Sequence, residues 1–189
     1  MNFARKIYSI LIDLVETLVI AGAIFVVIYA FLFRPFQVNG QSMFPNYHNG
    51  EYILTNLISL RFQELQRGDV VVFKAPTNQE KDYIKRVIGL PEETVSLKEG
   101  KIFINDKQLS EKYLPSDFKT YEGTFLQEGQ SVSVPDKSYF VLGDNRDFSS
   151  DSREWGFVTK DKIIGKSFIV YWPIADFKIV QRGQYGGVN

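Results

Sequence analysis

A serine in a turn, a lysine in an apolar strand and a loop dense in aspartate, arginine and serine are the residues of this chain that could do chemistry. Ser42 lies in Asn39-Gly40-Gln41-Ser42-Met43-Phe44-Pro45, a Gly/Pro-punctuated turn after a short alternating run. A serine in such a turn commonly bonds its own backbone. Two neighbours favour a reactive role: Gly40 permits close backbone approach, and Met43 and Pro45 offer an apolar wall beside the hydroxyl. Lys85 lies in Tyr83-Ile84-Lys85-Arg86-Val87-Ile88. Strand side chains alternate between faces, so Lys85 and Arg86 point opposite ways. One of them lies against apolar surface, unless both snorkel to solvent at a sheet edge. Burial lowers a lysine pKa by up to roughly 3 to 5 pH units. A neutral lysine is a competent general base, a role closed to arginine. Ser42 is therefore the candidate nucleophile, Lys85 its candidate base, and Arg86 an ion-pair former.

The third piece is the run Gly143-Asp144-Asn145-Arg146-Asp147-Phe148-Ser149-Ser150-Asp151-Ser152-Arg153-Glu154. Calcium-loop spacing fails there, because Arg146 stands where a second acidic ligand is needed. Mixed aspartate, arginine and serine can instead lock a backbone by internal ion pairs, which suits support of a nearby lysine.

The elements that must position these residues are mostly strands. Runs at 36–40, 51–56, 69–74, 82–88, 138–142 and 162–171 carry strand patterns, and 94–98 with 101–105 form a hairpin around Glu99-Gly100. Residues 106–130 are polar and weakly patterned, so loop is expected there with one short strand or helix. The Gly-rich tail, 182–189, is expected to fray. Upstream, residues 17–33 carry no charge and are bounded by Glu16 and Arg34. Helical, they rise roughly 26 Å; with the apolar residues before them they predict one transmembrane helix over about 8–33, ended by Pro35. A removable signal peptide fits less well, because Ala21-Gly22-Ala23 lies inside the apolar run rather than after it. Arg5 and Lys6 favour a cytoplasmic N-terminus and an extracytoplasmic catalytic part.

Composition narrows the chemistry. Lys+Arg and Asp+Glu balance at 22 each, so no basic footprint for nucleic acid is evident. With no cysteine and one histidine, His48, disulfides, thiol nucleophiles and multi-histidine metal sites are excluded. No metal or cofactor is expected. The 16 Phe and 10 Tyr suit contact with a lipid bilayer.

Together these segments resemble the type I signal peptidases, of the short bacterial kind. Four motifs stand in the family's order: the Ser42 turn; Arg67-Gly68-Asp69-Val70-Val71-Val72-Phe73; Tyr83-Ile84-Lys85-Arg86-Val87-Ile88-Gly89-Leu90-Pro91; and Gly143-Asp144-Asn145-Arg146 through Ser149, Asp151, Ser152 and Arg153. The likeness runs from the anchor to the last strand. It implies a mostly β fold: an antiparallel β-sheet catalytic core (35–92 and 138–181) with a small inserted β subdomain (93–137), preceded by one N-terminal transmembrane helix (1–34). It implies a membrane-bound serine endopeptidase working through a Ser42/Lys85 dyad. Ser149 would orient the lysine, Asp151 and Arg153 would form a supporting ion pair, and Asp144 would help hold the loop. Substrates would be exported preproteins bearing signal peptides, cut after small residues of the Ala-x-Ala type. Val38, Met43, Tyr83 and Ile84 would form shallow pockets, and the edges 36–40 and 82–85 would take the substrate as an added strand. The sequence departs from the family's pattern at Gly40, where some members carry an oxyanion-binding hydroxyl, and at Asn46 and Glu92. A self-cleaving DNA-binding regulator with the same dyad would need a DNA-binding segment where the apolar run stands. An inactive binding module sits poorly with Ser42, Lys85 and Ser149 all present.

Overall fold

The computed structural model describes residues 3–115, 118–183 and 185–186. It begins with α1, Phe3–Phe31. Within it Arg5–Tyr29, with a mean hydropathy of 2.5, is long and apolar enough to cross a bilayer, and none of it is buried against the rest of the chain. The helix stops before Pro35, the residue expected to end it. Leu57 N–H donates to the Leu32 carbonyl at 3.0 Å, and the chain turns directly into a strand. Pro35 lies inside that strand, opposite Leu54. Among the described residues the strand pairs on one side only, where a residue without an N–H costs no ladder bond.

The chain then builds β1 (Phe33–Gln37), β2 (Tyr52–Asn56), a short helix α2 (Ser59–Phe62), β3 (Val70–Ala75) and β4 (Asn78–Gly89). It leaves to make β5 (Thr94–Lys98), β6 (Lys101–Ile104), β7 (Lys107–Gln108), β8 (Ser110–Glu111) and β9 (Ser131–Ser133). It returns through β10 (Ser138–Leu142), helix α3 (Ser152–Trp155), β11 (Val158–Thr159), β12 (Ile163–Trp172), β13 (Lys178–Ile179) and β14 (Tyr185–Gly186). The main sheet has the order β1-β2-β12-β3-β4-β10-β11, with β13 on β12; a smaller sheet has the order β7-β6-β5-β9. All pairs between strands are antiparallel.

Patterning explains the layers. The run Val70-Val71-Val72-Phe73 is apolar at every position because both its faces are covered. Val71 and Phe73 join Leu65, Val87 and Val141 in one core, while Val70 and Val72 join Val38, Met43, Ile53 and Val170 in another. A third core fuses the two sheets: Ile88, Phe140 and Leu142 of the main sheet pack with Val95, Leu97, Ile102 and Ile104 of the smaller one. The Glu99-Gly100 turn has positive φ at both residues, 52° and 72°, as a tight hairpin requires.

Two further expectations change. The weakly patterned 106–130 stretch contributes β7 and β8. The described part of the tail is docked, not frayed: β14 pairs with β8, Gly183 N–H donates to the Gly68 carbonyl at 3.3 Å, and Arg182 Nε meets Asp69 Oδ1 at 2.9 Å. The tail is short of apolar residues, and it is held by backbone pairing and charge that no hydropathy pattern reports.

Because Phe140 is fully buried in the core shared by both sheets, Phe140→Ala should cost roughly 3–5 kcal/mol of stability. Calorimetry of the detergent-solubilised protein should show one transition at lower temperature; two separate transitions would contradict a shared core.

Candidate active site

The Ser42 segment is a loop pinned at its base and its middle. Val38 N–H donates to the Glu51 carbonyl and Gly50 N–H to the Val38 carbonyl, both at 2.8 Å. Met43 and Tyr47, 1% and 3% exposed, plug the segment into the core. Gly40 has φ +96°, a left-handed backbone that a side chain at this position would strain, and its N–H donates to Asn49 Oδ1 at 2.8 Å.

Lys85 reaches this loop from β4. Its Nζ lies 2.8 Å from Ser42 Oγ and donates to the Ile84 carbonyl at 2.9 Å, and the residue is 4% exposed. Burial lowers its pKa from 10.5 to about 8, against the opposing pull of Asp151 and Asp144. The Tyr83 ring stands 5.3 Å from the same nitrogen. Arg86 faces the other way. Its Nε and Nη2 clamp the two Asp144 carboxylate oxygens at 2.8 and 2.6 Å, Nη1 donates to the Gly68 carbonyl at 3.0 Å, and the Tyr113 ring covers it at 4.3 Å. Of these two adjacent cations, Arg86 is ion-paired and Lys85 has no carboxylate in contact.

The loop from β10 to α3 closes behind the pair. Asn145 N–H donates to the Ser42 carbonyl and its Nδ2 to the Gln41 carbonyl, both at 3.0 Å. Asp144 accepts from Asn46 Nδ2 at 2.9 Å, tying the loop to the serine segment. Asp151 caps α3 and pairs with Arg153 Nε at 2.8 Å, while its second oxygen accepts from Gly143 N–H at 3.1 Å. Arg153 spreads across the loop, donating to the carbonyls of Arg146 (2.7 Å), Tyr121 (3.0 Å) and Ser149 (3.3 Å). Arg146 in turn pairs with Glu111 and donates to the Gly143 carbonyl at 3.1 Å.

A cleft of about 720 Å³ opens beside Ser42 and Lys85. Tyr83 and Ile84 line it, as do Phe36, Ile53, Val72 and Asn39. Three expectations do not hold there. Val38 and Met43 are buried in the core and do not line the cleft, because the loop that carries Ser42 turns those side chains inward. Ser149 does not hydrogen-bond Lys85: its buried Oγ has no partner among the described residues, and the lysine bonds the Ile84 carbonyl instead. Tyr47, one of the ten tyrosines whose abundance suits a lipid bilayer, is core instead. Sequence reasoning missed Ile53 and Val72, and placed Phe36 on the substrate edge but not in a cleft wall. They come together only through register, Phe36 opposite Ile53 and Val72 opposite Ile84.

The antiparallel β fold thus brings a buried lysine against a loop serine at the mouth of an open cleft. Residues 11–172 match the family described as signal peptidase, peptidase S26, and the chain belongs to that family. A signal peptidase IB from Staphylococcus aureus is 34% identical over 179 residues, 89% of this chain and 93% of its own length. A signal peptidase I from Bacillus amyloliquefaciens is 37% identical over 174 residues, 90% of this chain and 92% of its own. A solved signal peptidase I from Enterococcus faecalis covers 55% of this chain and 97% of its own at 35% identity, with a TM-score of 0.47. Membership makes the chain a serine endopeptidase that removes signal peptides from preproteins.

A Cβ on Gly143 would lie 2.1 Å from Ser149 Oγ and 2.4 Å from the Ser42 carbonyl oxygen. Gly143→Ala should therefore push the Ser42 loop off its position and lower kcat by roughly a hundredfold, measured on a purified preprotein. Arg86→Met strands the buried Asp144 carboxylate and should cost about 3–5 kcal/mol; adding Asp144→Leu should recover most of that in thermal melts.

Proposed function

We propose that Ser42 is the acylating nucleophile of this peptidase and Lys85 its general base. The observation that carries this reading is the 2.8 Å approach of Lys85 Nζ to Ser42 Oγ, made by a buried lysine whose pKa burial lowers to about 8. Neutral Lys85 takes the Ser42 proton as Oγ attacks the scissile carbonyl. The resulting ammonium gives that proton to the leaving amine, and the neutral amine then activates water to release the acyl group. The Ser42 N–H, which has no acceptor among the described residues, is one donor for the developing oxyanion. The Gly40 N–H is already engaged by Asn49. Asp151, Arg153, Asp144 and Ser149 act through the loop that fixes the Ser42 backbone.

The substrate enters as an extended strand. The outer edge of β1 is unpaired among the described residues, and β10 pairs only with residues 86–89 of β4, so residues 82–85 offer a second free edge at the cleft. Tyr83 and Ile84, joined by Phe36, Ile53 and Val72, form shallow apolar walls that suit small side chains, the Ala-x-Ala pattern. Helix α1 is the anchor in the lipid bilayer. Arg5 and Lys6 put its N-terminus on the cytoplasmic side and the catalytic part outside, as a single-pass protein. Residues 35–92 and 138–181 act as the catalytic core, with 93–137 as its insertion.

The test is preprotein cleavage by detergent-solubilised enzyme. Ser42→Ala and Lys85→Met should each lower kcat by roughly 10⁴-fold or more, while His48→Ala stays near the parent; equal cleavage by both dyad variants sinks the assignment. Only neutral Lys85 accepts a proton, so parent activity should climb as pH rises through about 8. Stability runs in step. The folded pKa lies below the unfolded value, so the lysine penalises folding below about pH 8 and the penalty fades as pH rises toward 10.5. Lys85→Met should therefore gain about 2–3 kcal/mol at pH 7, and thermal melts should show the gain shrinking in alkali.

A further inference from the structure

A second cavity, of about 450 Å³, shares no lining residue with the cleft. Its wall carries four cations, Arg86, Lys112, Lys178 and Arg182, and no acidic side chain. The carboxylates stand behind that wall. Asp144 holds Arg86; Glu51 meets Lys178 at 3.0 Å and His48 at 3.2 Å; Asp69 meets Arg182 at 2.9 Å but is shared with Lys166 at 2.7 Å. Lys112 has no ion-pair partner among the described residues. Positive charge is therefore in excess at the cavity.

Tyr47 adds a neutral donor. It lines the cavity, and its hydroxyl has no hydrogen-bond partner among the described residues and is not sealed off, so it is free to donate to an occupant. Arg86 adds to this: three of its five N–H groups are spoken for by Asp144 and Gly68, and two remain. These donors come from four separate segments: the Ser42 loop, β4, the chain after β8, and β13. Convergence from several directions suits a tetrahedral oxyanion better than a planar carboxylate. At the rim, Ile179 is 70% exposed, and Trp172, Ile174 and Phe177 in the preceding stretch are exposed as well.

We infer that this cavity binds a phosphate group, and that its apolar rim fits it to the phosphate of an anionic lipid headgroup. The site does not depend on the Ser42 and Lys85 assignment, since it shares no side chain with the cleft. An occupant would touch Asn46 and Tyr47, in the loop that carries Ser42.

The test uses the full chain in a neutral detergent. Inorganic phosphate, titrated at constant ionic strength against chloride, should raise Tm in a saturable way, as a ligand of the folded state does. Lys112→Gln and Tyr47→Phe should each weaken apparent binding at least about tenfold, a loss of about 1.4 kcal/mol, while Lys112→Arg restores it. In a second arm, phosphatidylglycerol is doped into the micelles. If it displaces phosphate where phosphatidylcholine does not, the lipid headgroup is the source; if neither displaces it, free phosphate is the ligand, and the rim plays no part. An equal Tm rise in chloride, or unchanged phosphate affinity in Lys112→Gln and Tyr47→Phe, overturns the site.

Discussion

The structure depends on how it disposes of two adjacent cations. Lys85 and Arg86 are consecutive in β4 and both are buried. A buried charge is tolerable when paired and costly when not. Arginine stays protonated in a protein, so Arg86 has to be paired, and Asp144 meets it with both carboxylate oxygens. Lysine has a second way out, which is to lose its proton. Leaving Lys85 without a contacting carboxylate makes that loss easier, and burial lowers its pKa to about 8. The neighbouring pair thus sets the chemistry of the lysine: a carboxylate moved from Arg86 to Lys85 would stabilise the ammonium and leave an arginine stranded.

The same pairing organises the loop. Asp144 spans Arg86 and Asn46, so one carboxylate joins β4 to the serine segment. Asn145, next in sequence, donates twice to the backbone around Ser42. Asp151 and Arg153 then stiffen the far end of the loop through carbonyls, and Gly143 lets the two backbones touch. Ser42 is held from three sides by groups that are themselves fixed, which is what keeps a hydroxyl within bonding distance of a buried amine. The Ser149 hydroxyl, without a partner among the described residues, belongs to this contact: it sits against Gly143, at the point of closest approach.

The parts legible in the sequence are those with local signals. The anchor, the all-apolar β3, β10, and the Glu99-Gly100 hairpin follow from hydropathy and turn chemistry alone. Lys85 and Arg86 were separable because alternation forces them apart and only one of them can titrate. The likeness to signal peptidases supplied the loop residues and the Asp151–Arg153 pair, but not the bonds of Arg153 to backbone carbonyls or the Asp144–Arg86 clamp. What was illegible depends on pairing between distant strands. Val38 and Met43 look like pocket residues until the loop's bonds to Glu51 and Gly50 turn them inward. Ile53 and Val72 carry no mark in sequence, and they meet Phe36 only because β1, β2, β3 and β4 align in one register. Pro35 reads as a helix stop, yet an edge strand accommodates it. The tail reads as disordered because its anchors are backbone bonds and a single arginine.

Strand β1 ties the anchor to the chemistry. It begins two residues after α1 ends and finishes at Gln37, five residues before Ser42, so helix, edge strand and serine loop form one short run. An extended residue covers at most about 3.5 Å, which bounds how far Ser42 stands from the end of the helix. The strand's outer edge is free among the described residues, and its Phe36 lines the cleft. In the proposed reaction, an extended substrate added at that edge would leave its own apolar segment at the depth where α1 emerges. The distance from bilayer to scissile bond is then set by the few residues of β1, and a longer or slacker connection would uncouple the cut from the membrane even with the dyad intact.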